Sequence, residues 1–192
     1  MHLITKSRTL ICRSSLSSSF FADKKQTYTR QEEFKMIFFT SDIHFGQQSL
    51  LATGKWKERP FNTLEEMHSE IIKRWNKKVT NGDDVYILGD IGSRGYQNMH
   101  VELIAQLKGR KHLIVGNHDD IKDLRVQQQF VEIVQAKSLR VMANKEPYKL
   151  LLTHCPYMMW DGQHRGVIML YGHLHNTLDE KLFQQYLAAY NK

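Results

Sequence analysis

Five polar blocks interrupt the apolar runs of this 192-residue chain, and they carry the side-chain types that hold divalent metals. They are Asp42-Ile43-His44, Gly89-Asp90, Gly116-Asn117-His118-Asp119, Thr153-His154 and Gly172-His173-Leu174-His175. Together they offer carboxylates, imidazoles and one amide. This mixed nitrogen and oxygen set, without thiolate, suits manganese, iron, zinc or nickel better than calcium. Asp42 and His44 stand two apart, so on extended backbone both would face one ion. His173 and His175 repeat that spacing, and Gly172 ahead of them permits close backbone approach. Asp90 could bridge two ions with its two oxygens. Asn117 would add a neutral oxygen, and His154 completes seven candidate ligands. Two ions held together suit phosphoester hydrolysis, because a shared water loses a proton near neutral pH while both ions stabilise charge on a phosphoryl oxygen. His118, beside Asn117, could protonate the leaving oxygen. Arg94, soon after Asp90, could clamp the non-bridging oxygens.

Each of these residues alone would read as an ordinary turn residue; seven in sequence read as a metal site. Arg94 could equally be a solvated arginine in a glycine-flanked loop. Arg59, Trp160, His164 and Arg165 read as pocket lining or as packing and solvent-facing residues. Cys155, next to His154, reads as a small buried filler.

The blocks must be presented by a scaffold, and the pattern between them predicts an α/β domain. Ile37 to Thr40, Val85 to Leu88 and His112 to Val115 are apolar runs that each end at a block, as buried parallel strands do. Thr63 and Glu66 form a capping-box pair. Behind them Met67, Ile71, Trp75 and Val79 recur at helical spacing. Leu103, Ile104 and Leu107 stripe a second helix. Val131 to Val134, Leu139 to Met142, Tyr148 to Leu152 and Val167 to Tyr171 predict further strands, with a turn at Asn144 to Pro147. Asp179 to Lys192 reads as an amphipathic helix carrying Leu182, Phe183, Tyr186 and Tyr190.

Residues 1–35 differ from the rest. They hold seven basic and three acidic side chains, so four of the seven net positive charges of the chain lie there. An Arg- and Ser-rich, acid-poor segment fits an organelle transit peptide, but a poorly ordered extension is the favoured reading. The expectation is the extension, over 1–35, followed by one domain over 36–192. The remaining charge of the domain is modest, enough to favour a phosphate-bearing substrate. No basic stripe with interleaved aromatics marks a nucleic-acid track. No apolar stretch approaches the roughly 18–20 residues of a membrane span. The two cysteines, Cys12 and Cys155, make no disulfide framework, which makes a reducing, cytoplasmic compartment the expectation. Oligomeric state has no signature in the chain.

The blocks resemble those of the calcineurin-like metallophosphoesterase superfamily, in the family's order from Met36 to His175. The small bacterial and phage-type members are the most similar, through Arg59-Pro60-Phe61 and through Trp160 and Gly166 ahead of the last histidines. The resemblance implies a four-layer α/β/β/α sandwich with a dimetal site at the strand ends. One ion would take Asp42, His44, Asp90 and His175; the other Asp90, Asn117, His154 and His173. His118 would be the catalytic histidine and Arg94 a phosphate-binding arginine. Ser93 stands where the phosphoprotein phosphatases have an aspartate and the purple acid phosphatases a tyrosine ligand, which argues against both branches. Gln47 replaces a histidine common in close small relatives. Beyond His175 the helical pattern replaces an expected strand, which implies a fold shortened or divergent at that end. The leading expectation is hydrolysis of a phosphodiester, on a small or nucleotide-like substrate, by a hydroxide held between two divalent ions. A phosphomonoesterase and a non-catalytic metal-binding scaffold are the alternatives.

Overall fold

The computed structural model describes residues 10–13, 35–93, 97–175 and 177–190. A short strand β1 (Leu10–Arg13) pairs antiparallel with β2 (Met36–Thr40) at one edge of a five-stranded sheet. The remaining strands, β3 (Asp84–Ile87), β4 (Arg110–Ile114) and β5 (Glu132–Val134), follow β2 in order, all parallel. Of the extension expected over 1–35, only Leu10–Arg13 and Lys35 lie within the described residues.

Parallel strands need crossovers, and the chain supplies a helix for each. They are α1 (Leu64–Lys78), α2 (Gln97–Ala105) and the single-turn α3 (Leu124–Gln127), the last without a sequence expectation. The predicted cap of α1 forms, with its return bond falling one residue before the N-cap. Thr63 Oγ1 accepts the Glu66 N–H at 3.1 Å, while the Glu66 carboxylate accepts the Asn62 N–H at 3.0 Å.

Alternation along the strands buries both faces of this sheet. Phe38, Val85, Ile87 and Leu113 face the helices, meeting Val79, Ile104 and Leu107. Phe39, Tyr86, Leu88 and Ile114 face the other way, onto Val141, Leu150 and Leu152 of a second sheet. Ile87, Leu113 and Leu152 have no exposed surface, and burying each contributes about 1.5–3 kcal/mol.

The second sheet is β6 (Ala136–Ala143), β7 (Glu146–Thr153) and β8 (Ile168–Leu170). β6 and β7 form a hairpin, and β8 joins β7 in parallel. The expected turn at Asn144 to Pro147 is tighter than predicted. Asn144 and Lys145 alone turn, both with positive φ, the two-residue geometry matched to strand twist. Pro147 lies within β7, paired with Met142. It is tolerated there because β8 reaches only Leu150–Leu152, leaving that part of β7 an edge.

The helix expected near the C-terminus is α4 (Leu178–Tyr190). Ile168 and Leu170 face the inter-sheet core, so Tyr171 falls on the opposite side, where its ring meets buried Phe183 edge-on at 5.4 Å. The order is therefore helices, sheet, sheet and a closing helix, the expected four-layer sandwich. Among the described residues no helix is long and apolar enough to cross a membrane.

Candidate metal centre

Strands β2, β3, β4, β7 and β8 all end at one rim, and the five polar blocks are the turns they run into. The first two turns lie side by side: Asp42 N–H bonds Gly89 O at 3.0 Å, His44 N–H bonds Asp90 O at 2.9 Å, and Phe45 N–H bonds Ile91 O at 3.0 Å. This continues the sheet's parallel pairing beyond the strands, but not with extended backbone. Asp42, His44, Asp90, His173 and His175 all have positive φ, between 50° and 74°. Left-handed backbone costs a residue with a β-carbon about 1–2 kcal/mol, and five of the seven candidate ligands adopt it. The alternate spacing of Asp42 with His44, and of His173 with His175, therefore works through turns rather than the extended geometry expected. Two glycines make the close approach possible. A β-carbon at Gly89 would run into the His154 ring, and one at Gly172 would meet Asp42 Oδ2 at 2.7 Å.

The side chains converge in two adjacent groups. Asp42, His44, Asp90 and His175 bring donor atoms within 4.8 Å of one another. In it His44 Nε2 and His175 Nε2 are 2.9 Å apart. His175 Nε2 lies 3.5 Å from Asp42 Oδ1, and His44 Nε2 lies 3.8 Å from Asp90 Oδ2. The second group contains His154, His173 and Cys155. Here His154 Nε2 is 2.9 Å from Asn117 Oδ1 and 3.4 Å from Asp90 Oδ2, and the His154 and His173 rings meet edge-on at 5.0 Å. Asp90 Oδ2, a member of the first group, thus also lies beside His154 of the second. Its other oxygen accepts the His118 N–H at 2.8 Å. The His118 ring stands edge-on to His44 at 5.4 Å.

A second set of residues holds these donors in place. His154 Nδ1 lies 2.8 Å from Leu88 O; donating there leaves Nε2 directed at the cluster. His175 Nδ1 lies 2.9 Å from Glu58 Oε2, a carboxylate–imidazole pair that orients the ring in the same way. Arg59 donates to the Asp42 carbonyl. Asp119 accepts three backbone N–H groups, from Asp90 at 3.0 Å, Ile91 at 2.9 Å and Gly116 at 2.8 Å. His173 N–H bonds the Asp42 carboxylate at 3.0 Å. Behind the first turn, His68 Nε2 accepts the Gly46 N–H, and His100 Nε2 lies 3.0 Å from Phe45 O and 3.2 Å from the Ser93 nitrogen.

The electrostatics favour positive charge at the cluster. Burial alone would raise the Asp42 carboxyl, but hydrogen bonds from His175, Ser41 and the His173 N–H outweigh it and hold it at about 2. His44 is lowered to about 4, chiefly by burial. His175 is raised to about 9, first by its hydrogen bond to Asp42 and then by Glu58. Burial opposes the rise at His154, but the Asp90 carboxylate and Leu88 carbonyl overcome it. Asp119 is raised by burial despite its three N–H donors. The Nε2 atoms of His44 and His175 converge beside two carboxylates, and a cation in place of the proton between them would satisfy all four groups. Two divalent ions fit this donor set.

All seven sequence-predicted ligands therefore meet at one rim, with His118 beside them. Arg94 lies outside the described residues. Trp160 donates its Nε1 to Val167 O at 2.9 Å, which makes it a packing residue. Exposed Arg165 pairs with Asp161. Cys155 is exposed, not the buried filler expected. Sequence reading assigned no role to Glu58 or Asp119. Asp119 closes the Gly116 block and so carried a faint signal. Glu58 carried none beyond its place before Arg59.

Residues 35–187 match the sequence profile described as calcineurin-like phosphoesterase. An uncharacterized protein of Methanocaldococcus jannaschii, MJ1445, is 34% identical over 151 residues, covering 78% of this chain and 75% of that protein. The gene 66 proteins of Mycobacterium phages D29 and L5 are each 28% identical, over 164 and 165 residues. They cover 74% and 73% of this chain and 79% and 78% of their own length. The crystal structure of a protein of unknown function from Aquifex aeolicus, AQ665, shares the fold with a TM-score of 0.55 at 20% identity, over 79% of this chain and 85% of that one.

Proposed function

Because this chain belongs to the calcineurin-like phosphoesterase family, and is therefore a metal-dependent phosphoester hydrolase, we propose that it hydrolyses phosphodiesters with two divalent ions. Asp42, His44, Asp90 and His175 would hold one ion, and Asp90, Asn117, His154 and His173 the other. The observation carrying this reading is the position of Asp90 Oδ2, 3.8 Å from His44 Nε2 on one side and 3.4 Å from His154 Nε2 on the other. A carboxylate so flanked suits a bridging role. The ions would activate water and polarise a phosphoryl oxygen. Manganese, iron, zinc and nickel are the candidate ions.

The protein's own groups do the rest. Glu58 and the Leu88 carbonyl keep His175 and His154 in the tautomers that direct Nε2 into the site. His118 has its backbone N–H fixed by Asp90, which sets its ring beside His44 to donate a proton to the leaving oxygen. Arg94 is the proposed clamp on the non-bridging oxygens. The substrate is a small, nucleotide-like phosphodiester, and the cytoplasm, which keeps thiols reduced, is the proposed compartment.

The test is turnover of a model diester and a model monoester by metal-reconstituted protein, beside His118→Asn. Diester should be preferred, and the variant should lose about 10²–10⁴-fold in kcat while still binding metal. Strong preference for the monoester would make the protein a phosphomonoesterase. Equal activity of variant and wild type, with metal bound in both, would end the role of His118.

A further inference from the structure

One donor beside the second histidine pair has no part in the reading above. Cys155 follows His154 directly, is exposed, and has Sγ within 4.8 Å of ligand nitrogens of both His154 and His173. Neighbouring side chains on a strand would diverge, but β7 ends at Thr153 and the chain bends through His154 and Cys155. The Gly172 N–H bond to His154 O, at 2.9 Å, ties this bend to the turn that carries His173. The three donors therefore share one face of the rim.

We propose that Cys155 is a further metal ligand, donating a thiolate to the ion held by His154 and His173, and that it biases this half of the site towards thiophilic divalent ions. The proposal rests on the assignment of His154 and His173 as ligands. Two donors on one zinc ion, at about 2.3 Å for sulfur and 2.0–2.1 Å for nitrogen, stand at most about 4.4 Å apart. Ligation would draw Sγ of the exposed thiol inside the present 4.8 Å limit, a movement that rotation about its Cα–Cβ bond would have to supply. A metal–sulfur bond forms, the S–H bond breaks, and the proton passes to water. Nothing is oxidised or reduced. The consequence is asymmetry. Asp42, His44 and His175 offer the first ion only nitrogen and oxygen. The second ion would meet nitrogen, oxygen and sulfur, a set that favours zinc over manganese.

Cobalt(II) titration of the full chain decides the matter, because thiolate ligation produces a sulfur-to-cobalt charge-transfer band in the near ultraviolet. The proteins to compare are wild type, Cys155→Ser, and Cys12→Ser as a control for the other cysteine. Wild type and Cys12→Ser should bind two cobalt ions and show the band. Cys155→Ser should still bind two ions, lose the band, and lose about tenfold or more in zinc affinity with manganese affinity nearly unchanged. Two bound ions without the band in wild type, or a band that survives in Cys155→Ser, overturns the thiolate and leaves the His154–His173 assignment standing. Binding of fewer than two ions by wild type overturns that assignment and the thiolate with it.

Discussion

Asp119 controls the shape of the site without touching a proposed ligand's donor atom, and its removal should be felt in stability and metal affinity together. Its Oδ2 accepts the N–H groups of Asp90 and Gly116, and its Oδ1 that of Ile91. Hydrogen bonds to a charged acceptor contribute about 1.5–3 kcal/mol each when measured singly. The three share one carboxylate whose burial is itself unfavourable, as the upward shift of its pKa shows. Asp119→Ala should therefore cost about 3–4 kcal/mol rather than the full sum, a large part of the 5–15 kcal/mol that holds a typical domain. Asp119→Asn can place its amide oxygen where Oδ2 stood and keep two bonds. It then sets an amide donor against the Ile91 N–H, for a loss of about 1.5–2.5 kcal/mol. Urea denaturation of the metal-free proteins, followed by tryptophan fluorescence, gives both values. Metal titration of the same samples should show affinity falling in the same order, because Asp90 sits on the loosened turn. Losses under about 0.5 kcal/mol in both variants would refute this account, as such values belong to surface substitutions. So would an alanine variant no worse than the asparagine variant.

Glu58→Gln should weaken metal binding about 10–100-fold through loss of the carboxylate that orients His175, with the thermal midpoint of the metal-free protein little changed. Thr63→Ala should cost about 0.5–2 kcal/mol in denaturant unfolding by removing the cap of α1 and leave metal affinity as it was. Leu152→Ala opens the inter-sheet core and should cost about 2–5 kcal/mol, again by chemical denaturation. Chelation should abolish hydrolysis and lower the thermal midpoint, and re-addition of manganese or zinc should restore both; a midpoint indifferent to chelator would argue against binding to the folded state.

The linear chain already contained the parts whose information is local. Apolar runs marked β2, β3 and the end of β4, because a strand buried on both faces favours continuous hydrophobicity. Thr63 and Glu66 marked the start of α1 because a cap is a contact between residues three apart. The five blocks named all seven proposed ligands and His118, since donor chemistry is a property of residue type. The tail after His175 read as a helix from its apolar spacing, and α4 is there. Pro147 misled because a proline reads as a turn unless the neighbouring strand is known to stop short.

What folding alone decided depends on contacts between distant residues and on the backbone that permits them. Glu58 meets His175 across 117 positions, and no periodicity links them. Asp119 matters because β3 and β4 are neighbours, which brings the Asp90, Ile91 and Gly116 amides round one carboxylate. The two-residue spacings of Asp42 with His44 and of His173 with His175 were legible, but extended backbone was the wrong reason for them. Hydrogen bonds between adjacent turns hold these residues left-handed, and that is how their side chains converge. Cys155 reversed its reading for the same cause. Hydrophobicity places a small thiol inside, whereas the bend after β7 sets it at the open rim, beside His154 and His173.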